Sequence, residues 1–323
     1  EFEMRILGKS YEEIAAEGGG IRNSVRVFRK ASMEELTELT YHRIKNFLAY
    51  GTTTIEAKSG YGLSLEDELK SLRIMKKVAE LLPVTIVPTF LGAHEVPDEY
   101  QNNREEYIKL IIERMLPAVA EENLAEFCDI FTEKGVFSIE ESRRILQAAV
   151  KNGLTPKLHA DELHPLGGAE LAAEVGAISA DHLLMVTDDG IKAMKEKGVI
   201  PVLLPGTAFF LGKTQYAPAR KMIDAGLNVA LATDYNPGSS YTQNMPLILS
   251  IACTQMKMTP AETIFAATLN SARAINRAEQ SGSLEIGKKA DIILLDIPNY
   301  RYLPYHYGMN PVRKVIRHGI VIN

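Results

Sequence analysis

The stretch Lys157 to His164 reads K-L-H-A-D-E-L-H and follows Thr155-Pro156 at the close of a short apolar run. Four ionisable side chains, His159, Asp161, Glu162 and His164, fall within six residues. If a strand ends at His159, the sheet fixes the imidazole while Glu162, three residues on, swings over the same mouth. That pairs a neutral nitrogen ligand with a carboxylate able to carry protons. The competing reading is a solvated loop with an incidental histidine, and the rest of the chain decides between them.

Three more polar positions stand where apolar, strand-like runs end: His94, His182 after Ser179-Ala180-Asp181, and Asp234 after Leu231-Ala232-Thr233. Three of the seven histidines and one aspartate at successive strand ends point to a metal-dependent site, because barrel enzymes hold their chemistry there. Zinc or iron accepts imidazole and carboxylate, and a hydrolase keeps one position open for water. His159 and Asp234 supply two ligands, short of the three such a site usually has.

These residues need elements to carry them. Met33, Leu36, Leu39, Ile44, Phe47 and Leu48 recur at helical spacing, with Ser32 placed to cap and Gly51 to end the helix. Residues 52–55 then read as a strand, 58–62 as a loop and 65–82 as a helix. The unit repeats: strands at 84–87, 126–131, 154–159, 177–182, 199–204 and 228–233, with helices at 104–121, 139–152, 166–175, 188–197 and 217–225. Seven strand–helix units with continuous apolar strands predict a covered parallel sheet, one short of a closed (β/α)8 TIM-type barrel. Beyond Pro260 come a helix over 260–278, a turn rich in Gly and Lys over 282–291, and alternating strands near 292–295 and 315–322. The domain reading is a barrel over 1–280 and a small β appendage over 281–323.

A 323-residue chain with 46% hydrophobic and 24% charged residues has ordinary globular composition. Its net charge of -5 argues against nucleic acid as the main partner, so a small molecule is expected. No apolar run reaches the ~18 residues needed to span a bilayer. Cys128 and Cys253 lack CxxC spacing, which fits a reducing cytoplasm. Gly282 to Lys289 nearly spells a P-loop, but Lys289 stands where Ser or Thr should hold magnesium, so a turn is expected. Gly18-Gly19-Gly20 lacks the dinucleotide spacing and reads as a flexible loop. Neither HExxH nor G-x-S-x-G occurs, which removes zincin and serine-elbow hydrolysis. Lys58, at a strand end, reads as a surface or structural lysine.

The motifs H-A-D-E, S-A-D-H, L-A-T-D-Y-N-P-G-S-S and G-S-L-E-I-G-K-K-A-D-I-I resemble the amidohydrolase superfamily. Within it, E-A-K-S-G-Y-G-L, P-T-F-L-G-A-H-E-V-P and D-Y-N-P-G-S-S are similar to the family that opens the imidazolone ring in histidine degradation, as are the opening E-F-E-M-R and K-S-Y-E-E-I. The resemblance implies a (β/α)8 barrel with a β-sandwich appendage and one zinc or iron ion. It assigns the metal to His159 and Asp234 together with an H-x-H pair on the first barrel strand. Glu162 becomes the proton shuttle, and His182 hydrogen-bonds the reacting oxygen. Tyr61 and His94 contact substrate, offering donors to its propionate, while Asn236, Gly238 and Ser239 line the pocket. The implied reaction is hydrolysis of the ring amide C–N bond of 4-imidazolone-5-propanoate to N-formimino-L-glutamate. A cytoplasmic homodimer is implied as well.

This sequence contains no H-x-H, and the family's substrate-binding arginine is also expected upstream of Glu1, with the first strand and the N-terminal part of the sandwich. A deaminase-like amidohydrolase acting on cytosine or guanine shares H-x-x-E, His and Asp and remains an alternative. So does an inactive, truncated barrel.

Overall fold

The computed structural model describes residues 1–9, 13, 17 and 19–322. Gly18 of the glycine run and most of K-S-Y-E-E-I lie outside the described residues. Among the described residues, three helices come first: α1 (Phe2–Ile6), α2 (Ile21–Lys30) and α3 (Met33–Ala49). Ser32 caps α3 in a capping box with Glu35, as its position before the apolar repeat predicts. Then follow β1 (Thr54–Lys58), α4 (Leu65–Leu81), β2 (Thr85–Ala93), α5 (Arg104–Leu110) and α6 (Leu116–Glu121). The expected single helix over 104–121 is interrupted by a π-turn at Ile111–Met115. Pro117 accounts for it, because it cannot donate the backbone hydrogen bond that would continue a regular α-ladder.

The chain continues through β3 (Phe127–Thr132), α7 (Ile139–Lys151), β4 (Thr155–Ala160), α8 (Gly168–Glu174), β5 (Ser179–His182), α9 (Asp188–Lys197) and β6 (Ile200–Leu203). Next come α10 (Pro205–Phe210), α11 (Ala219–Asp224), β7 (Ala230–Leu231), α12 (Met245–Met256), α13 (Pro260–Phe265) and, after a π-turn at Ala266–Asn270, α14 (Ser271–Ala274). β8 (Ile292–Leu295), α15 (Tyr302–Tyr305), β9 (Val312–Arg317) and β10 (Ile320–Val321) close it.

The first seven strands form one parallel sheet in chain order, β1 to β7, with helices covering it: the TIM-type (β/α) architecture. A separate antiparallel sheet runs β10-β9-β8. α1, α2, α10, α12 and α15 fall where the sequence reading assigns no element. α12 is apolar nearly all round and largely buried, so it carries no amphipathic stripe to reveal it. β7 is shorter than residues 228–233, since among the described residues it pairs with β6 alone.

Strand alternation divides the two faces of the sheet. Phe90, Cys128, Leu158 and Ala180 belong to the main core with Leu72, Ile111, Ile145 and Leu171 of the covering helices, all nearly or fully buried. The opposite parity of β1, β3, β4 and β5 carries charge: Glu56 and Lys58, Asp129, Lys157 and His159, and Asp181.

Candidate functional site

Register brings these charges into layers. Phe131 lies opposite His159 and His159 opposite Asp181 across β3, β4 and β5. In the deeper layer the fully buried Lys157 ammonium stands 3.1 Å from Glu56, donates to Ala274 O at 2.9 Å, and lies over the Phe127 ring. Above it, Lys58 donates to both Asp129 and Asp181, the latter at 2.5 Å, and Glu56 is 3.6 Å away. Lys58 is thus structural, not a surface residue. Burial opposes its charge, but Asp129, Asp181 and Glu56 hold its pKa well above the ordinary lysine value.

His159 caps the stack. Its Nδ1 lies 3.1 Å from both carboxylate oxygens of Asp129. Burial pushes the imidazole pKa down, and the Asp129 carboxylate overrides that and leaves it raised. Burial would likewise raise the Asp129 carboxyl, yet His159 and Lys58 hold it far below the usual carboxylate range.

Asp129, His159 and Asp181 bring ligand atoms within 4.8 Å of one another, a set that could hold a metal. Lys58 already bridges those two carboxylates, however, so a divalent ion inside the triad would sit against an ammonium. The better position is beyond His159. With Nδ1 committed to Asp129, Nε2 is the nitrogen left for an ion, the usual arrangement of a metal-bound histidine backed by a carboxylate. The stack holds three carboxylates (Glu56, Asp129, Asp181) against two ammoniums (Lys58, Lys157), a residual negative charge that favours a cation at its top.

Every sequence-predicted site residue lines one cavity of about 1850 Å³: Tyr61, His94, His159, Glu162, His182, Asp234, Asn236, Gly238 and Ser239. The Asp234 carboxylate accepts from Thr207 Oγ1 at 2.6 Å through Oδ2. His182 Nδ1 is buried with no hydrogen-bond partner among the described residues and lies 3.6 Å from Glu162 Oε1. The His182 and His159 rings are 5.1 Å apart. An imidazole nitrogen, a carboxylate oxygen and an orphaned buried nitrogen at one mouth fit a borderline divalent ion in kind.

The backbone at these strand ends is unusual. Asp161, His182, Leu183 and Asp234 all have positive φ, between 49° and 75°. Non-glycine residues there are strained and cluster at functional sites.

The loop after β1 presents Tyr61. Glu68, in the first turn of α4 and fully buried, accepts backbone hydrogen bonds from Gly60, Gly62 and Leu63 and so shapes that loop. Gly60 adopts φ 106°, and a Cβ there would stand 3.1 Å from His94 Nδ1. This lets His94 Nδ1 donate to Gly60 O at 2.9 Å. Burial, with His159 nearby, lowers the His94 pKa to about 4, so near neutral pH its other nitrogen is an acceptor. Tyr61 meets the His94 ring edge-on, with centroids 5.3 Å apart.

Asn236 organises the loop after β7. Its Oδ1 accepts from Gly238 N and Ser239 N at 2.8 Å each, and its Nδ2 donates to Asp234 O at 2.7 Å. The polar groups of this trio therefore hold the loop beside Asp234.

Comparison with known proteins gives a consistent picture. The amidohydrolase family profile matches residues 9–322. The imidazolonepropionase of Geobacillus sp. (strain WCH70) is 56% identical over 322 residues, spanning 100% of this chain and 76% of that protein. That of Alkaliphilus oremlandii (strain OhILAs) is 53% identical with the same coverage. Among solved structures, an adenosine deaminase from Xanthomonas campestris with bound zinc superposes with a TM-score of 0.70 at 19% identity, covering 90% of this chain and 70% of that one. An atrazine chlorohydrolase from Arthrobacter aurescens, complexed with zinc and atraton, gives 0.72 at 15% identity over 99% and 76%. At such identities these two establish the fold alone.

Proposed function

The chain belongs to the amidohydrolase family, and from that premise we propose that it works as its imidazolonepropionase relatives do. It hydrolyses the ring amide C–N bond of 4-imidazolone-5-propanoate to N-formimino-L-glutamate in histidine degradation. The observation that carries this is identity of 48–56% with imidazolonepropionases across the whole chain, far above the 15–19% shared with the solved amidohydrolase structures. The family and the acid–histidine cluster point to a metal ion.

In this reading His159 and Asp234 would hold a single zinc or iron ion together with an H-x-H pair that this sequence does not contain; when bound, the ion would supply Lewis acidity and lower the pKa of a water from about 15.7 toward about 7. Glu162 accepts a proton as water adds to the ring carbonyl carbon, and returns it to the ring nitrogen as the C–N bond breaks. One water is consumed and the ring opens. The orphaned nitrogen of His182 gains its partner in the oxygen that becomes anionic. His94, as an acceptor, reads a ring N–H of the imidazolone; Tyr61 turns its hydroxyl to the propionate. Asn236, Gly238 and Ser239 wall the pocket. Asp129, Lys58 and Asp181 keep His159 aligned from beneath.

A spectrophotometric comparison of imidazolonepropionate with cytosine and guanine tests the reading. Ring opening of the first substrate alone is expected, and turnover of either base without it would sink the assignment. The resemblance also carries a cytoplasmic homodimer, to be checked by light scattering. No helix among the described residues is long and apolar enough to cross a membrane.

A further inference from the structure

Glu133, the first residue after β3, is buried to 1% exposure and belongs to neither the charge stack nor the ligand set. Its carboxylate accepts four hydrogen bonds. Oε1 takes Lys134 N and His164 Nδ1, both at 2.8 Å; Oε2 takes Leu163 N at 2.9 Å and His164 N at 3.4 Å. Glu133 thus ties the loop leaving β3 to the loop leaving β4, at the residues immediately after Glu162. The other side of Glu162 is pinned as well. Asp161 accepts from Leu166, Gly167 and Gly168 at 3.0 Å and from Ala169 at 2.9 Å, all at the start of α8.

We infer that Glu133 is a positioning residue that fixes the reach of the Glu162 carboxylate over the cavity. This rests on reading Glu162 as the proton carrier. A carboxylate is needed because all four groups facing it are donors, three of them backbone N–H groups that cannot reverse. An amide in its place would turn its own N–H toward them. The distance at stake is small, since Glu162 Oε1 lies 3.6 Å from His182 Nδ1, just outside hydrogen-bond reach. A displacement near 1 Å costs about 100-fold in rate.

The test compares Glu133→Gln with the wild-type protein in two measurements: steady-state kinetics and amide hydrogen exchange resolved at Leu163 and His164. The expected result is a fall in kcat of about 10–100-fold with KM nearly unchanged, and exchange at both amides faster than in wild type. Unchanged exchange at these amides overturns the inference whatever the substrate proves to be. So does a loss expressed in KM with kcat preserved. Should Glu133→Gln fail to fold, His164→Ala takes its place: it removes one of the four donors from a half-exposed side chain, and a smaller shift in both readings is expected. Glu162→Gln separates the two claims, because normal turnover there removes the proton carrier while the exchange result still judges Glu133.

Discussion

Asp129 acts at one remove from the chemistry, and its contacts say how. It holds His159 Nδ1 at 3.1 Å and is itself neutralised by Lys58, so the imidazole is fixed in rotation and tautomer. Asp129→Asn preserves shape and removes the charge. Metal affinity, measured by competition with a chromophoric chelator, should weaken about 10–100-fold; unchanged affinity would detach Asp129 from the site. In the proposed mechanism Glu162 acts directly. Glu162→Gln should lower turnover by about 100- to 10,000-fold while leaving metal content as it was, and near wild-type turnover would end its role. The residues on strand ends were legible in the sequence because each stands at the close of an apolar run. Asp129 was not, since it sits alone inside F-C-D-I-F. The signal that would find it is collective: Glu56 and Lys58, Lys157 and His159, and Ser179 and Asp181 place polar groups at every second residue, marking an inward polar face. Asp161 and His164, from the same cluster as His159, fasten the loop that carries Glu162.

Helix ends show the same coupling between local chemistry and stability. Thr259 caps α13 in a capping box with Glu262, and Arg220 of α11 grips the same carboxylate, with Nη1 3.0 Å from Oε1. The Arg220 hydrogen bond, outweighing partial burial and joined by Thr259, holds the Glu262 carboxyl at about 2. The unfolded value is about 4.3, so the unfolded chain takes up the proton first as pH falls. The stabilisation is therefore complete above about pH 4.3 and disappears as pH drops toward 2. Urea midpoints of the wild type should fall more steeply between about pH 5 and pH 3 than those of Glu262→Gln, and parallel slopes would refute the coupling. Capping and periodicity made α3, α4, α7 and α9 readable to within a residue or two. α12 escaped because it is apolar nearly all round, and the π-turn at Ile111–Met115 because tertiary packing chooses between a π-bulge and a break at Pro117.

At the scale of the molecule, scaffold and site occupy opposite faces of the same strands. Leu158 lies between Lys157 and His159 but packs outward, fully buried against the helices. Leu158→Ala should cost about 2–5 kcal/mol in chemical denaturation, yet leave kcat near wild type well below the melting temperature. A matching collapse of kcat would show that the faces are not independent. The cavity on the inner side exceeds the roughly 300–1000 Å³ common for small ligands, and it reaches residues of both edge strands, Ile55 of β1 and Leu231 of β7. Two left-handed residues, His182 and Asp234, line it. Each such conformation costs about 1–3 kcal/mol, against a net folding free energy of only about 5–15 kcal/mol. Asp234→Asn, which relaxes more readily into that backbone and can still accept from Thr207, should hold or raise the melting temperature while turnover collapses. A clear drop in melting temperature would argue against stored strain at Asp234. Selection of variants for heat resistance alone would therefore erode this mouth first, and the survivors would be hardy barrels that no longer open a ring.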